Sequence, residues 1–343
     1  MLKFDIQNRR YVGSKFKLKD WLKENILSNT KGSSFFDVFS GTGVVSQIFS
    51  ENYDKIIIND FLFSNNVIYK AFFEQTSFEE KKIIDIINNF NDVDSSILED
   101  NYFNLMFEDK FFGKNDSKKI GYIRENIKNM YADSKINEKE YNILLASLIY
   151  SADKIANTVG HYDAYIKKSI IDNRFIYGMI NPLILKNKNI QIYREDSNKL
   201  VQEINADIAF IDPPYNSRQY SRFYHILENL TKWEKPELFG VALKPKEENM
   251  SGYCKVEAPK LFKNLISNLK VKYICVTYNN TYNSKSSSSK NKITFEEIKE
   301  ILNEVGETKI LETSYKFFNS GKTNFDNHKE FLFITEVKNG ESN

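Results

Sequence analysis

The chain has 343 residues, 41% of them hydrophobic and 27% charged, enough for one large domain or for a core with a sizeable insertion. With a formal net charge of +2, no global basicity demands a nucleic acid, and any such partner must be met by a local patch. Two cysteines, Cys254 and Cys275, argue against a disulfide framework and for a reducing cytoplasm; His161, His225 and His328 show no zinc-like spacing; and neither a signal peptide nor a run of membrane-spanning length is read.

Strand-like runs alternate with helical patterns at both ends of the sequence, the signature of a mostly parallel sheet covered by helices. Strands are expected at Phe35–Phe39, Lys55–Asn59, Ile190–Arg194, Asp207–Ile211 and Lys272–Tyr278, with Lys309–Phe317 and Glu330–Glu336 completing the sheet near its edge. Between Phe61 and Asn187 the spacing is largely helical, as in Glu79–Phe90 and Asn137–Ala156. That stretch is too long for one crossover and reads as a helical insertion. The expected organisation is an α/β core made of residues 1–70 and 188–338, with residues 71–187 inserted. Tyr215–Pro259, with Pro236, Pro245 and Pro259, reads as loop, as does the low-complexity run Ser284–Lys290.

The first strand runs into Ser40-Gly41-Thr42-Gly43, followed by a helix over Val44–Phe49. Gly41 and Gly43 allow a sharp turn and let a ligand approach main-chain amides at a helix start. The next strand ends in Asn59-Asp60, where a carboxylate can take both hydroxyls of a ribose. An adenosine-containing cofactor fits, and this much does not separate NAD from S-adenosylmethionine. The loop lacks the third glycine of the dinucleotide fingerprint, which favours the cofactor without a pyrophosphate; Asp37 and the loop suffice for its methionine ammonium and carboxylate.

The apolar run Ile208–Ile211 ends in Asp212-Pro213-Pro214-Tyr215. Consecutive prolines force the chain out of the sheet along a stiff path, holding a carboxylate, a carbonyl and an aromatic ring together. A paired acceptor beside a flat ring suits an exocyclic amine on a planar base; a turn closing a core strand is the plain alternative. Asp37, Asp60, Asp196 and Asp212 each lie at or just beyond the carboxyl end of an expected strand, the edge where open parallel sheets bind ligands.

On these residues the chain resembles the adenine-N6 DNA methyltransferases, in the branch of the Dam-like D12 class and the type II restriction-modification methylases. The resemblance rests on Asp212–Tyr215, Asp37–Gly43 and Arg10-Tyr11-Val12-Gly13-Ser14-Lys15, and covers roughly residues 5–70 and 188–335. It implies a Rossmann-like S-adenosylmethionine-dependent sheet with target recognition in the insertion. By that resemblance Asp212, Pro213, Pro214 and Tyr215 are catalytic. Tyr11, Lys15, Asp37, Phe39, Gly41, Gly43, Asp60, Asp196 and Asp212 hold S-adenosylmethionine. The run Asn216–Ser221 is closer to the type II enzymes than to the shorter Dam-like pattern, and Tyr278-Asn279-Asn280 resembles their segment flanking a flipped base. Arg218, Arg222, Tyr278 and Asn279 are the expected DNA contacts, with residues 216–260 a DNA-facing loop region. Further basic candidates are Arg9, Arg10, Lys15 and Lys17, Lys167 and Lys168, and Lys285–Lys292, and Gly160–Tyr165 is a second candidate recognition element.

The implied partners are double-stranded DNA and, functionally, a cognate restriction endonuclease, with no metal and no membrane; the implied location is the cytoplasm. Two rivals stay open: methylation of RNA or a protein amide, and a silent DNA-binding module of the same fold. Neither cysteine lies in a catalytic context, which argues against a carbon-5 cytosine mechanism.

Overall fold

Short runs of aliphatic and aromatic residues become the inner strands of a seven-stranded sheet, as runs buried on both faces do. Numbered in chain order, the strands are β1 Ser34–Asp37, β2 Lys55–Asn59, β3 Asn189–Tyr193, β4 Ile208–Ile211, β5 Tyr273–Asn279, β6 Gly306–Ser314 and β7 Lys329–Val337. Their order across the sheet is β3-β2-β1-β4-β5-β7-β6. The first five run parallel, and β7 lies antiparallel to both β5 and β6. Strand order reverses between β1 and β4, so the crevice beyond their carboxyl ends is where such a sheet takes a ligand. In this computed structural model, residues 1–167, 170–280, 291–314 and 329–338 are described.

The chain divides into two compact units. One comprises Met1–Ser14, Leu62–Lys186 and Tyr220–Asn249; the other comprises Lys15–Phe61, Asn187–Gln219 and Met250–Asn343, and contains the whole sheet.

Within the sheet unit, Phe36, Ile57, Ala209, Ile211, Ile274 and Val276 form a core with Phe262, Leu265, Ile298 and Leu302. The last four lie on helices Ala258–Asn268 and Phe295–Val305. Pro259, read as the end of a loop, instead occupies the first turn of Ala258–Asn268. Its missing N–H costs nothing there, because first-turn amides have no partner within a helix.

The other unit is largely helical, with helices Phe63–Phe73, Glu80–Asp92, Tyr102–Phe107, Lys114–Ala132 and Glu138–Ile155. Glu138–Ile155 is buried almost all round, which explains why its apolar residues crowd every face. Asn137 caps it: its Oδ1 accepts from the Glu140 amide at 2.9 Å, and Glu140 Oε2 accepts from the Asn137 amide at 2.9 Å. Lys139 donates to the Lys70 and Ala71 carbonyls, satisfying the end of Phe63–Phe73.

Two expectations are corrected in this unit. Helical spacing was expected to run on towards Asn187, but no described residue between Ala156 and Gly178 is helical. In the other direction, Tyr215–Pro259 is not all loop, because it contains helices Tyr220–Phe223 and His225–Lys232. Each is too short to show a convincing period in sequence, and Pro236 and Pro245 all lie beyond their ends. Lys168 and Ser284–Lys290 fall outside the described residues. No helix among the described residues is long and apolar enough to cross a membrane.

Candidate active site

The site grows from the carboxyl ends of β1, β2 and β4. The β1 backbone carries Asp37 into full burial, where its Oδ2 accepts a hydrogen bond from Ser46 Oγ at 2.6 Å. Its Oδ1 is buried and has no hydrogen-bond partner among the described residues. Burial lifts the Asp37 pKa to about 7; the Ser46 hydrogen bond opposes that rise and the nearby Asp212 charge adds to it.

Beyond Asp37 the chain makes the glycine turn. Gly41 and Gly43 have φ of +53° and +79°, the left-handed region that side chains resist. The Gly41 amide donates to Asp60 Oδ2 at 3.0 Å, tying the loop to the residue that follows β2. Asn59 braces this corner from beneath, donating to the Val38 and Glu195 carbonyls, each at 3.2 Å. Phe39 meets Tyr253 edge to face at 5.1 Å, and the Tyr253 hydroxyl donates to Asn198 Oδ1 at 2.8 Å. Asp196 lies on the exposed rim and accepts from the Asn198 and Lys199 amides, capping the short helix Ser197–Leu200.

At the end of β4, Asp212 is gripped from two sides. Lys15 Nζ lies 2.7 Å from its Oδ2, and Thr277 Oγ1 donates to its Oδ1 at 2.9 Å. The same ammonium lies 3.4 Å from Oε1 of Glu330 at the start of β7. Burial works against the Lys15 charge, yet Asp212 and then Glu330 outweigh it and hold its pKa above the usual lysine value. Tyr215 is buried, its hydroxyl donating to the Thr277 carbonyl and its ring meeting Tyr278 edge-on at 5.0 Å. Burial, then the Asp212 and Glu330 charges, push its pKa far up, so the phenol stays neutral. Gln219 fixes the chain after the tetrapeptide by donating to the Ser251 carbonyl at 2.9 Å and accepting from the Ser251 amide at 2.7 Å.

Lys15, Asp37, Phe39, Gly41, Gly43, Asp60, Asp196, Asp212, Pro213, Pro214, Tyr215, Arg218, Tyr278 and Asn279 thus belong to one unit. Tyr11 and Arg222 belong to the other. There Tyr11 is stacked between Tyr220 and Tyr224, at 5.2 and 4.8 Å, with the buried Arg9 guanidinium 4.8 Å from its ring. Arg222 Nη1 donates to the Pro245 carbonyl at 2.6 Å. Tyr278 is a buried residue of β5, and Asn279 ends that strand. Within Gly160–Tyr165, His161 stacks on Phe223 at 4.6 Å. The sequence singled out neither Ser46, Tyr253 and Thr277 nor Glu330. The available signal for Glu330 was a carboxylate directly ahead of the apolar run Phe331–Ile334. The described residues hold no group of three or more His, Cys, Asp or Glu arranged to bind a metal.

Comparison with known proteins places this geometry in a family. Residues 11–282 match the family described as D12 class N6 adenine-specific DNA methyltransferase. The chain is 30% identical over 346 residues to the type II methyltransferase M.NlaIII of Neisseria lactamica, covering 95% of this chain and 98% of that protein. With the type II methyltransferase M.FokI of Planomicrobium okeanokoites it shares 34% identity over 316 residues, 87% of this chain but 47% of that protein, so it spans about half of M.FokI. Type II methyltransferase M.CviAII of Paramecium bursaria Chlorella virus 1 is 29% identical over 341 residues, covering 96% of this chain and 98% of that protein. The match runs from Tyr11 through the glycine turn and Asp212–Tyr215 to beyond β5, and the chain belongs to the D12 class N6 adenine-specific DNA methyltransferases.

Proposed function

We propose that the methyl donor is S-adenosylmethionine, held at the carboxyl ends of β1 and β2, and that Asp212 and the Pro213 carbonyl receive the amino group of a flipped adenine. The observation that carries the cofactor reading is the unpartnered, buried Asp37 Oδ1 beside a turn with two left-handed glycines. A buried carboxylate oxygen without a donor is costly, and an ammonium such as that of the methionine moiety supplies one. The backbone at Gly41 and Gly43 admits a ligand without a Cβ in the way, and Asp60 is set for ribose hydroxyls. Phe39, backed by Tyr253, offers an apolar wall. When bound, the cofactor supplies a methyl group on a sulfonium, already a good leaving group.

Adenine N6 is a poor nucleophile because its lone pair is delocalised into the ring. Asp212 and the Pro213 carbonyl accept its two hydrogens, favour a more tetrahedral nitrogen and stabilise positive charge as it develops. Lys15 and Thr277 fix the carboxylate, so little reorganisation is needed when the base arrives. Tyr215 sets the plane in which the base lies. In duplex DNA the base must first leave the stack at a cost of a few kcal/mol, to which phosphate contacts contribute. The type II names of the relatives support a modification role beside a cognate endonuclease.

The test is transfer of tritiated methyl from S-adenosylmethionine to unmethylated genomic DNA, with Asp212→Ala alongside and the products digested to nucleosides. Label in N6-methyladenine that disappears in the variant is the expected result. Label retained by Asp212→Ala would remove Asp212 from the chemistry.

A further inference from the structure

The last strand of the sheet supplies a buried acid that lies beyond residues 11–282, the part of the chain that matches the family. Glu330 is 2% exposed, its Oε1 lies 3.4 Å from Lys15 Nζ, and that same nitrogen lies 2.7 Å from Asp212 Oδ2. One ammonium thus sits between two carboxylates. Neighbouring β5 contributes Thr277, whose hydroxyl holds the other Asp212 oxygen, and Asn279 of β5 pairs in register with Glu330.

We propose that Glu330 is a positioning residue for methyl transfer, acting through Lys15 to keep the Asp212 carboxylate fixed and still strong as an acceptor. This rests on the reading of Asp212 as the acceptor of the adenine amino hydrogens. A lysine paired with Asp212 alone would fix it but would also draw on its charge, weakening it towards a third donor. A second carboxylate shares that ammonium, so Asp212 is held without being neutralised. The burial of Glu330 argues for a role, because a carboxylate left in a sheet interior is costly unless a cation holds it. Its pKa is raised by burial, lowered again by Lys15 and raised by Asp212. The charges that meet here are those of Lys15, Asp212 and Glu330, beside the neutral Tyr215 phenol, and the Asp212 charge acts in turn on Asp37.

The experiment is single-turnover methyl transfer to DNA for the full chain and for Glu330→Gln, Glu330→Asp, Lys15→Met and the double variant Lys15→Met/Glu330→Gln. Cofactor affinity and thermal unfolding are measured on each. Glu330→Gln is expected to slow transfer about tenfold while leaving cofactor affinity within about twofold, a loss confined to the transition state. Glu330→Asp should recover part of the rate, and in the Lys15→Met background the Gln change should add no further loss. A wild-type rate, a slowed rate matched by an equal loss of cofactor affinity, or losses that simply add would each overturn the proposal. If Glu330→Gln does not fold, Glu330→Asp carries the test, and a wild-type rate there overturns the proposal equally. Asp212→Ala in the same assay separates the two readings. Activity retained there removes the role of Asp212, whereas activity lost there beside a wild-type rate in Glu330→Gln removes only that of Glu330.

Discussion

At Asp37, burial and hydrogen bonds from Ser46 and Ser40 compete. Burial dominates and carries the pKa from the ordinary aspartate range up to about 7, with Ser46 opposing and Asp212 adding. A raised acid binds its proton more tightly in the fold than in the unfolded chain, so the contribution of Asp37 to stability falls as pH rises towards 7. An ammonium at Oδ1 reverses this preference, so cofactor binding should release a proton near neutral pH. Affinity for S-adenosylmethionine is therefore expected to fall by about tenfold per pH unit once pH drops below about 7, the slope for one linked proton. Asp37→Asn should bind more weakly but without that slope. Calorimetric titrations in two buffers of different ionisation heat measure the proton directly. Equal slopes in the two proteins would detach Asp37 from the ammonium.

At the scale of elements, the β-strands were the most legible part of the sequence. Lys55–Asn59 is found at its expected bounds, and five others agree within a few residues, because buried apolar runs bounded by polar residues leave few alternatives. Of the strand expected over Lys309–Phe317, Lys309–Ser314 lies in β6, and Tyr315, Lys316 and Phe317 fall outside the described residues. The helix Val44–Phe49 was equally plain, since the glycine turn marks its start. The pairs across strands were not legible: Thr277 and Glu330 reach Asp212 only through the register of β5 with β4 and β7, and no sequence period encodes that register. The same register makes a prediction at Gly306, where β6 meets β7. A Cβ there would lie 2.1 Å from the Glu336 carbonyl oxygen, although the backbone φ of −173° is ordinary extended strand. The glycine is required by close approach and not by conformation. Gly306→Ala should therefore destabilise the protein by about 1–3 kcal/mol, the usual cost of overpacking. A urea midpoint unchanged from wild type would mean that the β6–β7 edge yields without cost.

Charge is a property of the whole molecule, and 48 Lys and Arg against 46 Asp and Glu leave little general attraction for DNA. Affinity must then come from few, well-placed phosphate contacts, and each should add about 0.9 to the magnitude of the slope of log affinity against log salt. Arg218 and Arg222, close together in the sequence, belong to different units of the structure. The Arg218 backbone is pinned, its amide donating to Asn216 Oδ1 at 3.0 Å and its carbonyl accepting from Cys254 Sγ at 3.3 Å, so its side chain leaves from a fixed point just after Asp212–Tyr215. The Arg222 guanidinium already ties down the Pro245 carbonyl. Arg218→Ala is thus expected to reduce the salt slope by about 0.9 and to weaken specific and non-specific DNA alike. Arg222→Ala should lower thermal stability before it changes the slope. Fluorescence anisotropy on a cognate and a scrambled duplex, each at several salt concentrations, measures both effects. Loss confined to the cognate duplex would make Arg218 a reader of bases instead of a phosphate contact, because a charge that meets only the backbone cannot distinguish the two sequences.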